Sequence, residues 1–322
     1  MKFINTTKLI GLLALLVFLY PSCKDDDVCT TPSFKCEDFP ERQGGGIFGP
    51  IIQKPNQRKS PCFNPNNPNE FIYINIINNK QSIVKRNLAS AVEEILVTDV
   101  SIITPPDWGL NNKIVYVDRN YQLYTIDLNN SNAISQHTFQ YYQLYPRWLN
   151  DSIIVCQYSF NLGRPYFRMS LNINNNEFDT LRDQTFNLGD VSIEEKLAFL
   201  EYGGDPNILI YNGTESIKLS ADELTGPNSI VGLSWIDANS VVYSTYRTGV
   251  FTINTDNKAK KCIKSSCDTR SYRHLSVSAN GDKLLAERVD ATDYRPDDAG
   301  WTEESKIVIM NIDGSDEKVL FE

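Results

Sequence analysis

The chain has 322 residues and a formal net charge of −9. Such a surface repels a phosphate backbone, and with no basic stripe or cluster along the chain, nucleic acid is not an expected partner. Apolar residues at 41% and aromatics at 11% supply enough side chain to bury a substantial core, which excludes general disorder.

At the N-terminus, Lys2 and Lys8 flank the start of an apolar run, Leu9 to Leu19, which ends at Ser22 and Cys23. A positive region, a short apolar core and a small residue beside a cut read as a signal peptide over residues 1–22 with Cys23 as the lipidation site. The run is shorter than the roughly 20 residues needed to span a bilayer. Cleavage removes Lys2 and Lys8 and no acid, taking the charge from −9 to −11. With Lys24-Asp25-Asp26-Asp27 behind Cys23, the segment resembles exported lipoproteins of the Bacteroidota, in which an acidic stretch after the lipidated Cys accompanies transport to the surface. It departs from them at Tyr20-Pro21-Ser22, which lacks the usual Leu. The resemblance implies a membrane attachment through the lipid on Cys23, an outer-membrane location, and a domain on the cell surface, with a periplasm-facing domain as the alternative.

With Cys23 assigned to lipid, Cys29, Cys36, Cys62, Cys156, Cys262 and Cys267 remain. An exported protein can form disulfides, and the close pairs Cys29/Cys36 and Cys262/Cys267 are the natural candidates among fifteen pairings. No C-x-x-C supports a metal site, and no metal or other cofactor is expected. Cys156 lies in an apolar strand pattern and reads as a buried free thiol. Residues 23–59, rich in Pro, Gly and charge and including Gly44-Gly45-Gly46, read as a lipidated Cys followed by a flexible tether.

From about residue 60 to 322, short β-branched and aromatic runs alternate with Asn, Asp, Gly and Pro turns, with no amphipathic helical stretch, which predicts an all-β domain. A large apolar residue stands before a polar turn at Phe63, Trp108, Trp148, Val191, Trp235 and Val277, at intervals of 45, 40, 43, 44 and 42 residues. That period is the length of one four-stranded blade, so the domain is expected to be a six-bladed β-propeller of four-stranded antiparallel blades, with five or seven as alternatives. Closure is expected either by direct packing of the first repeat on the last or by a strand from residues 45–60. Lys306 to Ser315, ending in Asp313-Gly314, and Val277-Ser278-Ala279-Asn280-Gly281 resemble the blade signature of TolB-like, WD40-like propellers, most clearly in the last repeat.

Catalytic patterns are thin. There is no G-x-S-x-G elbow, P-loop or dinucleotide fingerprint, and His137 and His274 fall in different repeats and read as packing or surface residues. Asp290, Asp293, Asp297 and Asp298 fit no calcium-loop spacing and read as a solvated acidic loop. In four-stranded blades, the loops joining second to third strands share a face with the loops joining successive blades. Ser159–Pro165, Gly203–Pro206 and Asp290–Ser305 look elaborated there, and would bring Phe160, Arg164, Tyr202, Tyr294, Arg295 and Trp301 to one rim, with Arg247 from a shorter loop. Aromatic and Arg side chains are enriched at binding hot spots. The sequence therefore predicts a non-enzymatic binding or scaffold propeller that presents this face to a protein or glycan partner. The alternatives are a carbohydrate-active lyase or hydrolase with channel carboxylates, and a structural subunit of an envelope complex.

Overall fold

A computed structural model describes residues 51–137, 142–159, 167–182, 186–192, 194–201, 207–211, 216–219, 230–245, 249–266, 270–295 and 300–321. These form strands and connections, with no helix among the described residues. After β1 (Ile51–Gln53), blade 1 is β2 (Gln57–Asn64), β3 (Asn67–Ile77), β4 (Lys80–Asn87) and β5 (Glu93–Val100). Blade 2 is β6 (Asp107–Trp108), β7 (Lys113–Val117), β8 (Leu123–Asp127) and β9 (Ala133–His137). Blade 3 is β10 (Tyr142–Trp148), β11 (Ile153–Ser159), β12 (Phe167–Asn172) and β13 (Glu177–Arg182). Blade 4 is β14 (Phe186–Val191), β15 (Leu197–Glu201), β16 (Asn207–Tyr211) and β17 (Ser216–Leu219). Blade 5 is β18 (Ile230–Asp237), β19 (Ser240–Thr245), β20 (Gly249–Asn254) and β21 (Lys260–Ser265). Blade 6 is β22 (Arg270–Val277), β23 (Lys283–Arg295) and β24 (Gly300–Asn311), edged by β25 (Lys318–Val319). The protein is a six-bladed β-propeller, and each apolar marker residue of the sequence repeat falls at or near the end of its blade's innermost strand.

The second strands read as nearly continuous apolar runs because both of their faces are buried. Side chains alternate across a strand, so in β7 Ile114 and Tyr116 join a core with Ile72, Ile83 and Leu96 of blade 1. Val115 and Val117 point the other way, to Trp148, Cys156 and Met169 of blade 3. The same division sends Val241 and Tyr243 towards blade 4 and Val242 towards blade 6. The core is thus a set of wedges between blades, and no blade buries both faces without two neighbours. Cys156 is free and fully buried, as its strand pattern predicts, and burial pushes its thiol up to about 12.

Both expected modes of closure occur together. Phe63, Phe71 and Tyr73 of blade 1 pack on Leu285 and Ile307 of blade 6. On the outer edge of β24, β25 pairs antiparallel at Val308 and Ile309, while β1 pairs in parallel at Trp301 to Glu303. Among the described residues, strand pairing therefore begins at Ile51, within the segment that reads as tether. Phe321 completes the seam: its ring lies 5.0 Å from that of Tyr73, with the guanidinium groups of Arg58 and Arg86 each 4.3 Å from its centre. Gly314 turns the last hairpin at φ +84°, and a Cβ there would run into the Ile263 carbonyl of blade 5, so this turn needs glycine on both counts.

One correction concerns the stretch Asp290–Ser305. It is a long hairpin in which Asp290 pairs with Glu304 and Arg295 with Gly300. Nor is Asp290 solvated: it is 1% exposed and sits between Arg270 (2.7 Å) and Arg288 (3.0 Å), whose charges compensate its burial. Asp297 and Asp298 lie outside the described residues. Replacing Phe321 by Ala is expected to cost about 1–3 kcal/mol through lost burial and two lost cation–π contacts, read as a lower urea midpoint. The Cys156 thiol is expected to react with a disulfide reagent only at the rate of unfolding.

Candidate functional site

The innermost strands β2, β6, β10, β14, β18 and β22 stand next to one another around the central axis. One residue before each marker, they present Cys62, Asp107, Arg147, Asp190, Ser234 and Ser276. These six side chains form a ring of contacts from blade to blade. Cys62 Sγ donates to Asp107 Oδ1 at 3.7 Å, and Asp107 Oδ2 accepts from the Trp148 N–H at 2.8 Å. Arg147 Nε donates to the Gly189 carbonyl at 3.2 Å and lies 3.9 Å from Asp190. Asp190 Oδ2 then accepts from Trp235 N–H at 2.9 Å, Ser234 Oγ from Val277 N–H at 3.3 Å, and Ser276 Oγ from Phe63 N–H at 2.9 Å.

The ring lines two cavities. On the side of the turns that follow the markers, a cavity of about 200 Å³ is lined by Phe63, Trp108, Trp148 and Trp235. On the opposite side, the face of the second-to-third-strand hairpins, a chamber of about 480 Å³ is lined by Tyr145, Arg147, Arg273 and His274 above Asp107 and Asp190, with walls of Pro61, Pro105 and Pro106.

Local backbone geometry aims residues into this chamber. Three residues before the marker, Ser60 (φ 51°), Tyr145 (φ 51°) and His274 (φ 46°) occupy the left-handed region, at register shifts of their strands. Such bulges re-aim side chains and cluster beside functional sites. In blade 5 the position is Gly232, where a Cβ would meet Ser244 Oγ at 2.7 Å and Leu275 at 2.9 Å.

Electrostatics divide the chamber in two. Burial raises the Asp190 carboxyl to about 6 even though Arg147 opposes it, and burial also raises Asp107. In blade 6, Glu287 is 2% exposed and faces His274 Nδ1 at 2.7 Å. Burial alone would raise Glu287, but the neighbouring His274, the Ser305 hydroxyl (2.8 Å) and the Ser60 N–H (3.0 Å) outweigh it and hold the carboxyl at about 2. Ser60 Oγ also lies 3.3 Å from His274 Nδ1, so the cluster ties blade 6 to blade 1 while leaving Nε2 without a partner among the described residues.

The sequence-expected rim is only partly described. Phe160, Arg164, Tyr202 and Arg247 lie outside the described residues, as do Cys23, Cys29, Cys36 and Cys267; Cys262 is engaged in a disulfide. Tyr294, Arg295 and Trp301 fall in strands, Tyr294 opposite Trp301, at the distal end of the blade 6 hairpin, on the chamber's side of the ring. His137 is a packing residue, buried between Thr125 Oγ1 (3.1 Å) and Asn176 Oδ1 (3.3 Å), as its sequence position suggests. His274 lines the chamber beside a buried carboxylate. Its offset from the marker, shared with Ser60 and Tyr145, is the signal that singles it out. No group of three or more metal-ligating side chains occurs among the described residues.

No protein-family model matches the chain, and no curated protein does. Among solved structures it is similar to TolB from Acinetobacter baumannii (13% identity, TM-score 0.55), covering 69% of this chain and 57% of that one. A TolB-like protein of Agrobacterium tumefaciens matches at 14% identity and TM-score 0.59 over 74% and 88%. Oligogalacturonate lyase from Vibrio parahaemolyticus matches at 12% and 0.52 over 80% and 75%. The chain thus spans 57% of the length of the first of these. At such identities the likeness is one of fold, shared by a lyase and by TolB proteins.

Asp190→Asn keeps an acceptor for Trp235 N–H, whereas Asp190→Ala removes it, so the Ala variant is expected to lose about 1–3 kcal/mol and the Asn variant less. Because the folded-state carboxyl is raised from 3.8 to about 6, its ionisation costs stability as pH rises through that window. Urea melts at pH 4 and pH 7 should therefore favour Asp190→Asn over the wild type more at pH 7.

Proposed function

We propose that this propeller is a non-enzymatic binding module, held on the outer membrane by a lipid on Cys23, whose chamber face engages a protein or glycan partner at the cell surface. The observation that carries this reading is the chamber of about 480 Å³, on the face where the blade 6 hairpin brings Tyr294, Arg295 and Trp301. A pre-formed concavity with a few convergent polar groups on mixed apolar walls is the usual form of a binding site. The parallel pairing of β1 is compatible with it: Ile51 lies opposite Trp301, on the side that this reading assigns to binding.

A second reading is favoured by one arrangement. His274, oriented by a buried Glu287 and facing the chamber, has the form of a base held by a carboxylate, which a lyase or hydrolase acting on polysaccharide would use. Release of unsaturated or reducing ends from a polysaccharide panel would establish it over the binding reading.

The double variant Arg295→Ala/Trp301→Ala is expected to reduce partner recovery, after cross-linking on intact cells, by about tenfold or more. Its thermal melting should stay near that of the wild type; unchanged recovery would remove this face. Protease should reach the propeller on intact cells, and Cys23→Ala should release it from the membrane fraction; digestion only after permeabilisation would place it in the periplasm.

A further inference from the structure

The smaller cavity, on the face opposite the chamber, is aromatic and carries charge of one sign. Phe63, Trp108, Trp148 and Trp235 come to it from blades 1, 2, 3 and 5, around a volume of about 200 Å³. The cores between blades hold their rings. Gly109 makes room for one of them, since a Cβ there would come within 2.7 Å of Trp148 Cγ. The polar edges of the indoles do not open on the cavity: Trp108 Nε1 donates to Asn112 Oδ1 at 3.2 Å, and the Nε1 atoms of Trp148 and Trp235 are sealed from solvent. What these indoles show the cavity is carbon.

Among the described residues, every charged side chain lining this cavity is an acid. Asp107 and Asp190 stand in the ring and Asp237 at the turn after the blade 5 marker, whereas Arg147, Arg273 and His274 line the chamber alone. Arg147 lies 3.9 Å from Asp190, which leaves one guanidinium in the ring against two carboxylates. Aromatic surface beside carboxylates attracts an organic cation. A primary ammonium would leave N–H donors facing carbon, at a desolvation cost, while a quaternary ammonium spreads its charge over methyl groups and has no donor to lose. A metal ion fits less well, because no group of three or more ligating side chains occurs among the described residues. The volume of about 200 Å³ is below the roughly 300–1,000 Å³ of drug-sized sites and suits a headgroup rather than a chain.

We infer that this aromatic cavity is a binding site for a trimethylammonium group, with its charge answered by Asp107 and Asp190 and its methyl groups packed on Trp108, Trp148 and Trp235. The site lies on the opposite face from the chamber and stands independently of the binding reading above.

The test is calorimetric titration of the intact protein at pH 7 with choline, with the uncharged alcohol in which carbon replaces the nitrogen of choline, and with ethanolamine. Choline is expected to bind at least about tenfold more tightly than either. Asp190→Asn, which keeps the acceptor for Trp235 N–H, should weaken choline about tenfold with the melting temperature retained. Trp235→Phe, which loses no side-chain hydrogen bond among the described residues, should also weaken it, and separates this cavity from the chamber, which Trp235 does not line. Phosphatidylcholine vesicles distinguish two sources of the group: co-sedimentation that choline abolishes assigns it to a lipid headgroup, and choline binding without co-sedimentation assigns it to a free solute. Absence of choline binding, equal affinity for the uncharged alcohol, or full choline affinity in Asp190→Asn or in Trp235→Phe each overturns the assignment. The comparison of ligands is made on the wild type, so it decides the matter even where a variant fails to fold.

Discussion

The inner edge of every blade presents backbone N–H groups to an axis where no further strand can fit. An unpaired, buried N–H costs free energy comparable to a lost hydrogen bond, and six edges converge on one channel. The protein meets this constraint by placing, one residue before each apolar marker, a side chain that reaches the next blade. In four of the six steps it accepts that blade's marker N–H directly; Arg147 instead donates to the Gly189 carbonyl, and Cys62 to Asp107. Each contact crosses a wedge of apolar packing, so the polar ring at the axis and the hydrophobic cores between blades reinforce the same geometry.

That solution also makes the channel a site. The ring lines two cavities of different character, which share Asp107 and Asp190, and Arg147 lines the one of about 480 Å³. Bulges three residues before the markers turn His274 and Tyr145 into the same space, at a backbone conformation that non-glycine residues seldom adopt. The closing seam adds Glu287, whose carboxylate is satisfied from blade 1 by Ser60 and within blade 6 by Ser305 and His274. Structure and site therefore share residues, which is why conservative changes such as Asp190→Asn are more informative than truncations.

Much of the fold is legible in the sequence because burial on both faces leaves continuous runs such as Ile114–Val117, and because a bulky residue before a polar turn recurs at blade length. The ring is not legible, since its six members are a Cys, two Asp, an Arg and two Ser: any short polar group that reaches the neighbouring backbone serves, so no motif repeats. The offset of His274 from its marker is readable, but its partnership is hidden for a related reason. Its partner Glu287 sits inside an apolar strand, where its charge is masked until Ser60, from the far end of the chain, is brought to it. The parallel pairing of β1 has no periodicity to announce it in three residues, and Asp290 belongs to an acidic-looking stretch whose charge is met by Arg288 on its own strand and Arg270 on the neighbouring one.

Amide hydrogen exchange at the four ring-bonded markers tests the central claim most directly. If the ring holds the blades together, the amides of Phe63, Trp148, Trp235 and Val277 should exchange only through global unfolding, and Asp190→Ala should accelerate Trp235 selectively. Rapid exchange at these amides in the wild type, or uniform acceleration in Asp190→Ala, would show that the ring is not what holds the blades together.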